Sequence, residues 1–276
     1  AFIDGQWGDD VYRIRLMGAA NDGIISVHDS GDSSTQSDVM RIKGTLYDDN
    51  FLLRKSSSST GLAFVALLND EPYTERIHYW SVDGGLGLER MLISGLLGDD
   101  HFASDDVGTD TTIEGNEGED TFQVGQLYNS PRDICAYDYN HVEVEDVFAT
   151  IETTVGWLSD GINRPMTIYG GVGNDEFTVF HNKAVLSLFG EDGDDTFLIK
   201  AFALAGSQEP FRDRTDVSGG AGVDLVQYAM NAPVNIDGGD GFDRVIIIGT
   251  EFGDDFVVTK DGVYGAGLNV NFVNIE

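Results

Sequence analysis

Ten stretches of this chain repeat one phrase: a glycine turn, an acidic residue two places after its last glycine, and then an alternating apolar run. The fullest copies run from Gly170, Gly171 and Gly173 to Asp175, from Gly219, Gly220 and Gly222 to Asp224, and from Gly238, Gly239 and Gly241 to Asp243. Shorter copies pair Gly95 with Asp100, Gly115 with Asp120, and Gly190 and Gly193 with Asp195. Weaker or isolated copies start at Gly5, Gly44, Gly84 and Gly249 and supply Asp10, Asp49, Glu89 and Asp255. A unit repeated this often has to bury its apolar face against its neighbours, which restricts the fold to a stacked array.

The flanks of the phrase say what each unit is. An aliphatic residue stands two places before most first glycines, as at Ile3, Ile42, Ile93, Ile113, Ile168 and Ile236. After the acid, apolar residues alternate: Phe51 and Leu53, Phe122 and Val124, Phe177 and Val179, Phe197 and Ile199. A period of two belongs to a strand with one buried face. Each unit therefore reads strand, glycine turn, strand, and helical periodicity is nearly absent. First glycines at 95 and 115, and at 170 and 190, lie 20 residues apart. Such an interval suits a coil of two short strands, with successive motifs stacked on one edge. The expected fold is all-β: a single parallel β-solenoid (β-roll or β-helix) over residues 1–276, with about twenty residues per coil. Two stretches interrupt the spacing. Leu204 to Arg214 reads as an extra loop, and Gly125 to Pro165 as an insertion or a set of motif-poor coils.

The phrase resembles the nonapeptide G-G-x-G-x-D-x-U-x of the RTX (haemolysin-type) calcium-binding repeats, in patches covering about two-thirds of the chain. The motifs here recur about every twenty residues rather than every nine, and several have lost the second glycine. Calcium-binding turns are therefore expected mainly along one edge. Calcium takes six to eight hard oxygens. Glycine lets the turn present its carbonyls, and the aspartate adds charge. One turn offers too few ligands, so ions are expected between adjacent turns, as the resemblance also implies. Asp100 with Asp120, Asp175 with Asp195, and Asp224 with Asp243 are the best-stacked pairs, and Asp195 with Asp224 is separated by a loop. A lone glycine–aspartate turn is an ordinary surface turn; it is the stacked series that points to a ligand.

The chain carries 16 basic and 48 acidic residues, a formal charge of −32. That balance disfavours nucleic acid and anionic membranes as partners, and clustered turn acids require cations to offset their repulsion. The lone cysteine, Cys135, permits no internal disulfide. No apolar run is long enough to span a membrane, and no signal peptide is visible. Val273 and Ile275 place the next expected motif glycine at position 277, so the stretch reads as a section of a longer repeat array with neighbouring repeats on either side.

The histidines His28, His78, His101, His141 and His181 belong to no zinc-protease helix, and no nucleophile elbow or phosphate loop is present. His101 and His181 fall at turns, which suggests surface positions. The functional expectation is a calcium-binding structural or adhesive module of a large secreted or cell-surface bacterial protein, not an enzyme. Its partners would be calcium ions, neighbouring repeats, and a carbohydrate or another surface protein. The competing expectation is a calcium-dependent polysaccharide lyase, epimerase or carbohydrate-binding module. That reading requires a groove of acids and aromatics outside the motif turns, around residues 125–165. Trp80, Tyr79 and Trp157 are candidate platform residues, although Trp80 occupies an apolar core slot of the phrase.

Overall fold

The computed structural model describes residues 1–18, 23–31, 37–57, 59, 61–70, 73–81, 87–132, 146–200, 214–229, 234–249, 253–265 and 268–276. The motif glycine Gly84, Cys135, His141 and residues 204–213 lie outside the described residues. The strands, in chain order, begin with β1 (Phe2–Asp4), β2 (Val11–Arg15), β3 (Gly23–His28), β4 (Val39–Lys43), β5 (Asn50–Lys55), β6 (Leu62–Asp70) and β7 (Tyr73–Trp80). Next come β8 (Arg90–Leu97), β9 (His101–Ser104), β10 (Asp110–Glu117), β11 (Thr121–Val124), β12 (Leu127–Tyr128), β13 (Thr150–Thr153) and β14 (Gly156–Ser159). Then follow β15 (Met166–Val172), β16 (Glu176–Val179), β17 (Leu186–Asp192), β18 (Thr196–Ile199), β19 (Thr215–Gly222) and β20 (Leu225–Ala229). The last are β21 (Val234–Gly241), β22 (Arg244–Ile248), β23 (Phe256–Thr259), β24 (Gly262–Gly265) and β25 (Leu268–Val273).

Two 11-stranded sheets and one three-stranded sheet contain all of them, and no helix occurs among the described residues. The first large sheet runs β1-β3-β7-β6-β5-β9-β11-β16-β18-β20-β22, and the second runs β2-β4-β8-β10-β15-β17-β19-β21-β25-β24-β23. From β8 to β22 the chain alternates between the sheets, and like strands pair in parallel. Phe122 lies beside Phe102 on one side and Phe177 on the other, while Ile113 lies beside Ile93 and Ile168. The sheets are nevertheless mixed, which the repeat did not foretell. β5, β6 and β7 form an antiparallel meander within the first sheet, and β23, β24 and β25 form another at the end of the second.

The core follows directly from the alternation. Buried positions in β9, β11, β16 and β18 obey one pattern, with every second side chain inward. Phe51, Phe102, Phe122, Phe177 and Phe197 stack in a single column, with ring centroids 4.7, 5.2, 4.8 and 4.5 Å apart. These rings occupy the same place in the phrase, two residues after the acid. The facing column from the second sheet is aliphatic: Ile14, Ile42, Ile93, Ile113, Ile168, Leu188, Val217 and Ile236, all buried. Both sheets end in strands with exposed apolar side chains: Phe2, Ile3 and Val11 at one end, and Ile246, Ile248, Val257 and Val258 at the other. Trp80 is half-buried against His28 rather than in the core, with ring centroids 5.1 Å apart.

β10 and β15 pair directly, so the chain between 125 and 165 leaves the sheets, and its described part forms the small sheet β12-β14-β13. That piece is held down by charge. Arg54 donates to Asp105 (2.9 Å) and Asp146 (3.2 Å) and lies 5.0 Å from the Phe148 ring centroid, while the Tyr128 hydroxyl donates to Asp105 (2.7 Å).

Glycine spacing is explained by how turns stack. The third motif glycine has φ between +144° and +156° at Gly118, Gly173, Gly193, Gly222 and Gly241. A β-carbon on any of these would overlap the carbonyl oxygen of the corresponding glycine in the preceding copy. The second glycine also has positive φ, yet the sequence departs from glycine there at Leu96 (φ 95°), Asn116 (φ 85°) and Glu191 (φ 77°). Each such residue costs about 1–2 kcal/mol of backbone strain. Gly173→Ala and Gly193→Ala should each cost more than about 3 kcal/mol, since strain and backbone overlap combine. Gly253→Ala, where a β-carbon meets nothing within 4 Å, should stay within about 0.5 kcal/mol. Thermal melts of the three variants check this ordering.

Candidate functional site: two ladders of carboxylates

Every motif turn that crosses from the second sheet to the first ends in an aspartate, and those aspartates stack. Asp49, Asp100, Asp120, Asp175, Asp195, Asp224 and Asp243 are all 1–2% exposed. Each backbone N–H donates to the Oδ1 of the next aspartate. Asp49 donates to Asp100 (2.7 Å), Asp100 to Asp120 (2.7 Å), Asp120 to Asp175 (2.7 Å) and Asp175 to Asp195 (2.8 Å). Asp195 then donates to Asp224 (2.8 Å), Asp224 to Asp243 (2.9 Å), and Asp243 to Glu276 Oε2 (2.9 Å). Asp195 and Asp224 are thus direct neighbours despite the loop between them. So are Asp120 and Asp175, across 55 residues of sequence.

The second carboxylate oxygen is the unusual one. Oδ2 of Asp100, Asp120, Asp175, Asp195, Asp224 and Asp243 is buried and accepts no hydrogen bond. It lies against the first glycine of its own motif, at Gly95, Gly115, Gly170, Gly190, Gly219 and Gly238, where any β-carbon would collide with it. The carbonyl oxygen of the next copy's first glycine closes over the same place, as Gly190 does over Gly170 and Gly219 over Gly190. Two hard oxygens therefore converge on each hollow, and the carboxylate oxygen there receives no donor. Removal from water, reinforced by neighbouring carboxylates and opposed by the donated N–H, pushes Asp100 up to about 8 and Asp175 to about 7. Burial likewise raises Asp120, Asp195 and Asp224 to about 6.

Outside this inner row runs an exposed one of opposite sense. Here the later turn donates to the earlier side chain: Glu119 N–H to Asp99 (2.9 Å), Asp194 N–H to Asn174 (2.8 Å) and Val223 N–H to Asp194 (2.8 Å). Adjacent turns are thus clamped in both directions.

The opposite edge carries a shorter ladder. Asp10 N–H donates to Asp38 Oδ1 (2.8 Å), and Asp38 N–H donates to Glu89 Oε2 (2.7 Å). Asp10 Oδ2 and Glu89 Oε1 are again buried without partners. Asp29 joins them, accepting from the Tyr12 hydroxyl (2.7 Å) and from Gly31 N–H (3.0 Å). One oxygen each from Asp10, Asp29 and Asp38 lies within 4.8 Å of the others, so this acidic group could hold a metal ion. Burial and the charges of Asp29, Glu89 and Asp10 push Asp38 up to about 6.

Several sequence expectations change. Asp49 has no spare oxygen, since Thr45 N–H and hydroxyl and the Asn69 amide saturate its carboxylate. Asp255 is exposed; it is Asp254 whose Oδ2 lies against Gly249, five residues earlier as in every other copy. Residues Ile236 and Asp237 pair with Phe272 and Val273, and the Asn274 carbonyl lies over Gly238. The first-glycine position therefore falls at 274, not 277. His181 is buried, with Nδ1 3.1 Å from the Ser159 carbonyl, and His101 is half-buried in β9, so neither is a surface turn residue. Asp29 and Asp38 escaped the motif search because no G-x-x-G-x-D precedes them. The available signal was the apolar alternation of Met40 and Ile42, two and four residues after Asp38 as in the motif copies.

A scan of the sequence against family models finds no match, and searches of curated proteins and of solved structures likewise find none.

Asp195→Asn keeps an oxygen for the Asp175 N–H and removes the charge, whereas Asp195→Ala removes both. In chelator at pH 8 the Asn variant should melt at or above the parent, and the Ala variant should lose about 1–3 kcal/mol for the orphaned N–H. Equal losses in both variants would show that repulsion along the ladder does not matter.

Proposed function

We propose that the chain is a calcium-stabilised parallel β-solenoid, serving as a structural or adhesive module of a large secreted or cell-surface bacterial protein and related to the RTX repeats it resembles. The observation that carries this reading is the row of buried aspartate oxygens that accept no hydrogen bond, each facing the backbone carbonyl of the next turn, a glycine's in five cases and that of Asn274 at Asp243. A carboxylate in that position needs a cation or a proton. Carboxylate and carbonyl oxygens are the donor set of calcium and magnesium, and calcium's longer, more variable bonds suit shallow backbone hollows better than magnesium's strict octahedron. Asp100, Asp120, Asp175, Asp195, Asp224 and Asp243 would hold calcium with the first-glycine carbonyls along one edge. Asp10, Asp29 and Asp38, with Glu89, would do so on the other. The role is then mechanical: cations bridging successive turns convert repulsion into cohesion. The exposed apolar strands at both ends of the sheets suit contact with neighbouring repeats.

Chemistry outside the turns favours the structural reading over a polysaccharide-active one. The buried acids nearest the three-stranded sheet are engaged: Asp105 by Arg54 and Tyr128, Asp106 by Asn163, and Asp160 by Lys183. They fasten that sheet to the body, although Asp105 Oδ1 stays buried without a hydrogen-bond partner. The module is accordingly proposed to have no turnover of its own.

The test is calcium-linked stability as a function of pH. The raised carboxyls bind protons more tightly when folded than when unfolded, so the metal-free fold should lose stability as pH rises from about 4, and level off above about 8. Calcium requires the ionised form, so its stabilisation should be small at pH 5 and large at pH 8. Each site contributes about 2.7 kcal/mol at a hundredfold excess over Kd. Magnesium should restore little. Identical melting curves with and without chelator at pH 8 and low salt would overturn the calcium reading.

A further inference from the structure

One slot on the outer face of the second sheet belongs to neither ladder. It is lined by Glu114 on β10, Asn116 beside it, Tyr169 on β15 and Glu191 on β17. Strand register explains the arrangement: Glu114, Tyr169 and Phe189 form one row across the sheet, and Asn116, Gly171 and Glu191 form the next. Gly171 has no side chain and so leaves a floor between Asn116 and Glu191. Tyr169 stacks on Phe189 at 4.9 Å with 14° between the rings, which leaves its other face toward Glu114. Asn116 is fixed by three bonds from Nδ2, to Ser94 Oγ (3.1 Å) and to the Glu114 and Gly115 carbonyls (2.9 Å each), and its Oδ1 remains an acceptor.

Two features set this slot apart from an ordinary patch of sheet surface. No basic residue lines it, although two carboxylates do. The second feature is conformational. Asn116 and Glu191 occupy second-glycine positions at φ 85° and 77°, where the fullest copies have glycine at Gly171, Gly220 and Gly239. These two side chains flank the same floor at Gly171.

We infer that this slot binds an aliphatic ammonium group, of the kind a lysine side chain or its methylated form carries, seated on the free face of Tyr169 between Glu114 and Glu191. A cation on an aromatic face gains from the ring quadrupole, most when water is displaced, and flanking carboxylates supply the counter-charge. The arrangement suits an organic cation better than a metal ion. Glu114 and Glu191 stand on strands two apart, roughly 10 Å at the backbone, and the acidic trio whose oxygens come within 4.8 Å of one another is Asp10, Asp29 and Asp38. The inference does not depend on the calcium reading, because no residue of the slot is a rung of either ladder.

The test uses the full chain in saturating calcium and two probes, acetyl-trimethyllysine amide and its uncharged tert-butyl isostere, titrated by NMR. Saturable one-to-one binding of the charged probe is expected, with the isostere at least about tenfold weaker. Tyr169→Ala should abolish binding. Glu191→Gly should also abolish it while raising Tm by about 2–4 °C through relief of the positive φ, a combination that a merely structural residue would not give. Absence of binding, equal binding of the neutral isostere, or affinity unchanged in Glu191→Gly would each overturn the inference. Binding at many sites that survives Tyr169→Ala would instead mark general attraction to an acidic protein, and would overturn it equally.

Discussion

Buried carboxylates held at strand spacing are the constraint on which the rest of this molecule depends. Neighbouring rungs of a parallel sheet lie about 4.8 Å apart. At an effective dielectric of 20, two unit charges at that distance repel by roughly 3–4 kcal/mol. The run from Asp49 to Asp243 contains seven such carboxyls in succession. Each N–H between rungs bonds to one oxygen of the next carboxylate and so offsets part of the burial cost. In the six from Asp100 to Asp243 the other oxygen receives no hydrogen bond from the protein. A fold that places six such atoms in a row is incomplete without positive charge, whether it arrives as protons at low pH or as cations at high pH.

Glycine's three places in the phrase have distinct physical causes, and in the copies from Gly95 to Gly238 only the second is given up. The first glycine makes the hollow for the aspartate, and a β-carbon there meets the carboxylate itself. The third lets successive turns lie face against face, with one copy's carbonyl over the next copy's α-carbon. The second demands positive φ, and at Gly171, Gly220 and Gly239 a β-carbon would also meet the preceding copy's backbone carbonyl, yet this is the place where leucine, asparagine and glutamate appear in other copies. The copies at Gly95, Gly115 and Gly190 keep the glycines at which a side chain would collide with the stacked turns.

Most of the repeating body was legible because period-two apolar residues and a fixed five-residue step from glycine to acid both act locally. Phe51, Phe102, Phe122, Phe177 and Phe197 could be placed in one column from sequence alone. The failures share a cause as well. Asp255 was chosen over Asp254 because a copy with one glycine and two adjacent acids does not reveal its own register; only the hollow at Gly249 decides it. Asp29 and Asp38 meet Asp10 through strand pairing between β1, β3 and β2, β4, a long-range fact with no local motif. The antiparallel meander of β5 to β7 has the same apolar alternation as the parallel strands, and alternation carries no direction. His181 was misjudged because the turn containing it is covered by the insertion, which brings Ser159 against it.

The uneven spacing of the motifs follows from an asymmetry between the two edges. From β8 on, turns from the second sheet to the first run from glycine to aspartate in the same number of residues: Gly95 to Asp100, Gly115 to Asp120, Gly170 to Asp175, Gly190 to Asp195, Gly219 to Asp224 and Gly238 to Asp243. Connections in the other direction vary freely. β16 and β17 are separated by residues 180–185, β18 and β19 by 200–214, and β11 and β15 by the whole stretch that contains the small sheet. Both ladder directions, the inner from Asp120 to Asp175 and the outer from Glu119 to Asp99, require each turn to lie flush on the one before it. An added residue on that edge would break two clamps and open the hollow between them. Beyond Glu89 the opposite edge shows no continuous ladder among the described residues, only separate bonds such as Asn163 N–H to Asp106 Oδ1 (3.0 Å), and insertions accumulate there. Invariant turn length is thus the mark of the edge whose carboxylates must stay in register, and it separates the two edges more sharply than composition does.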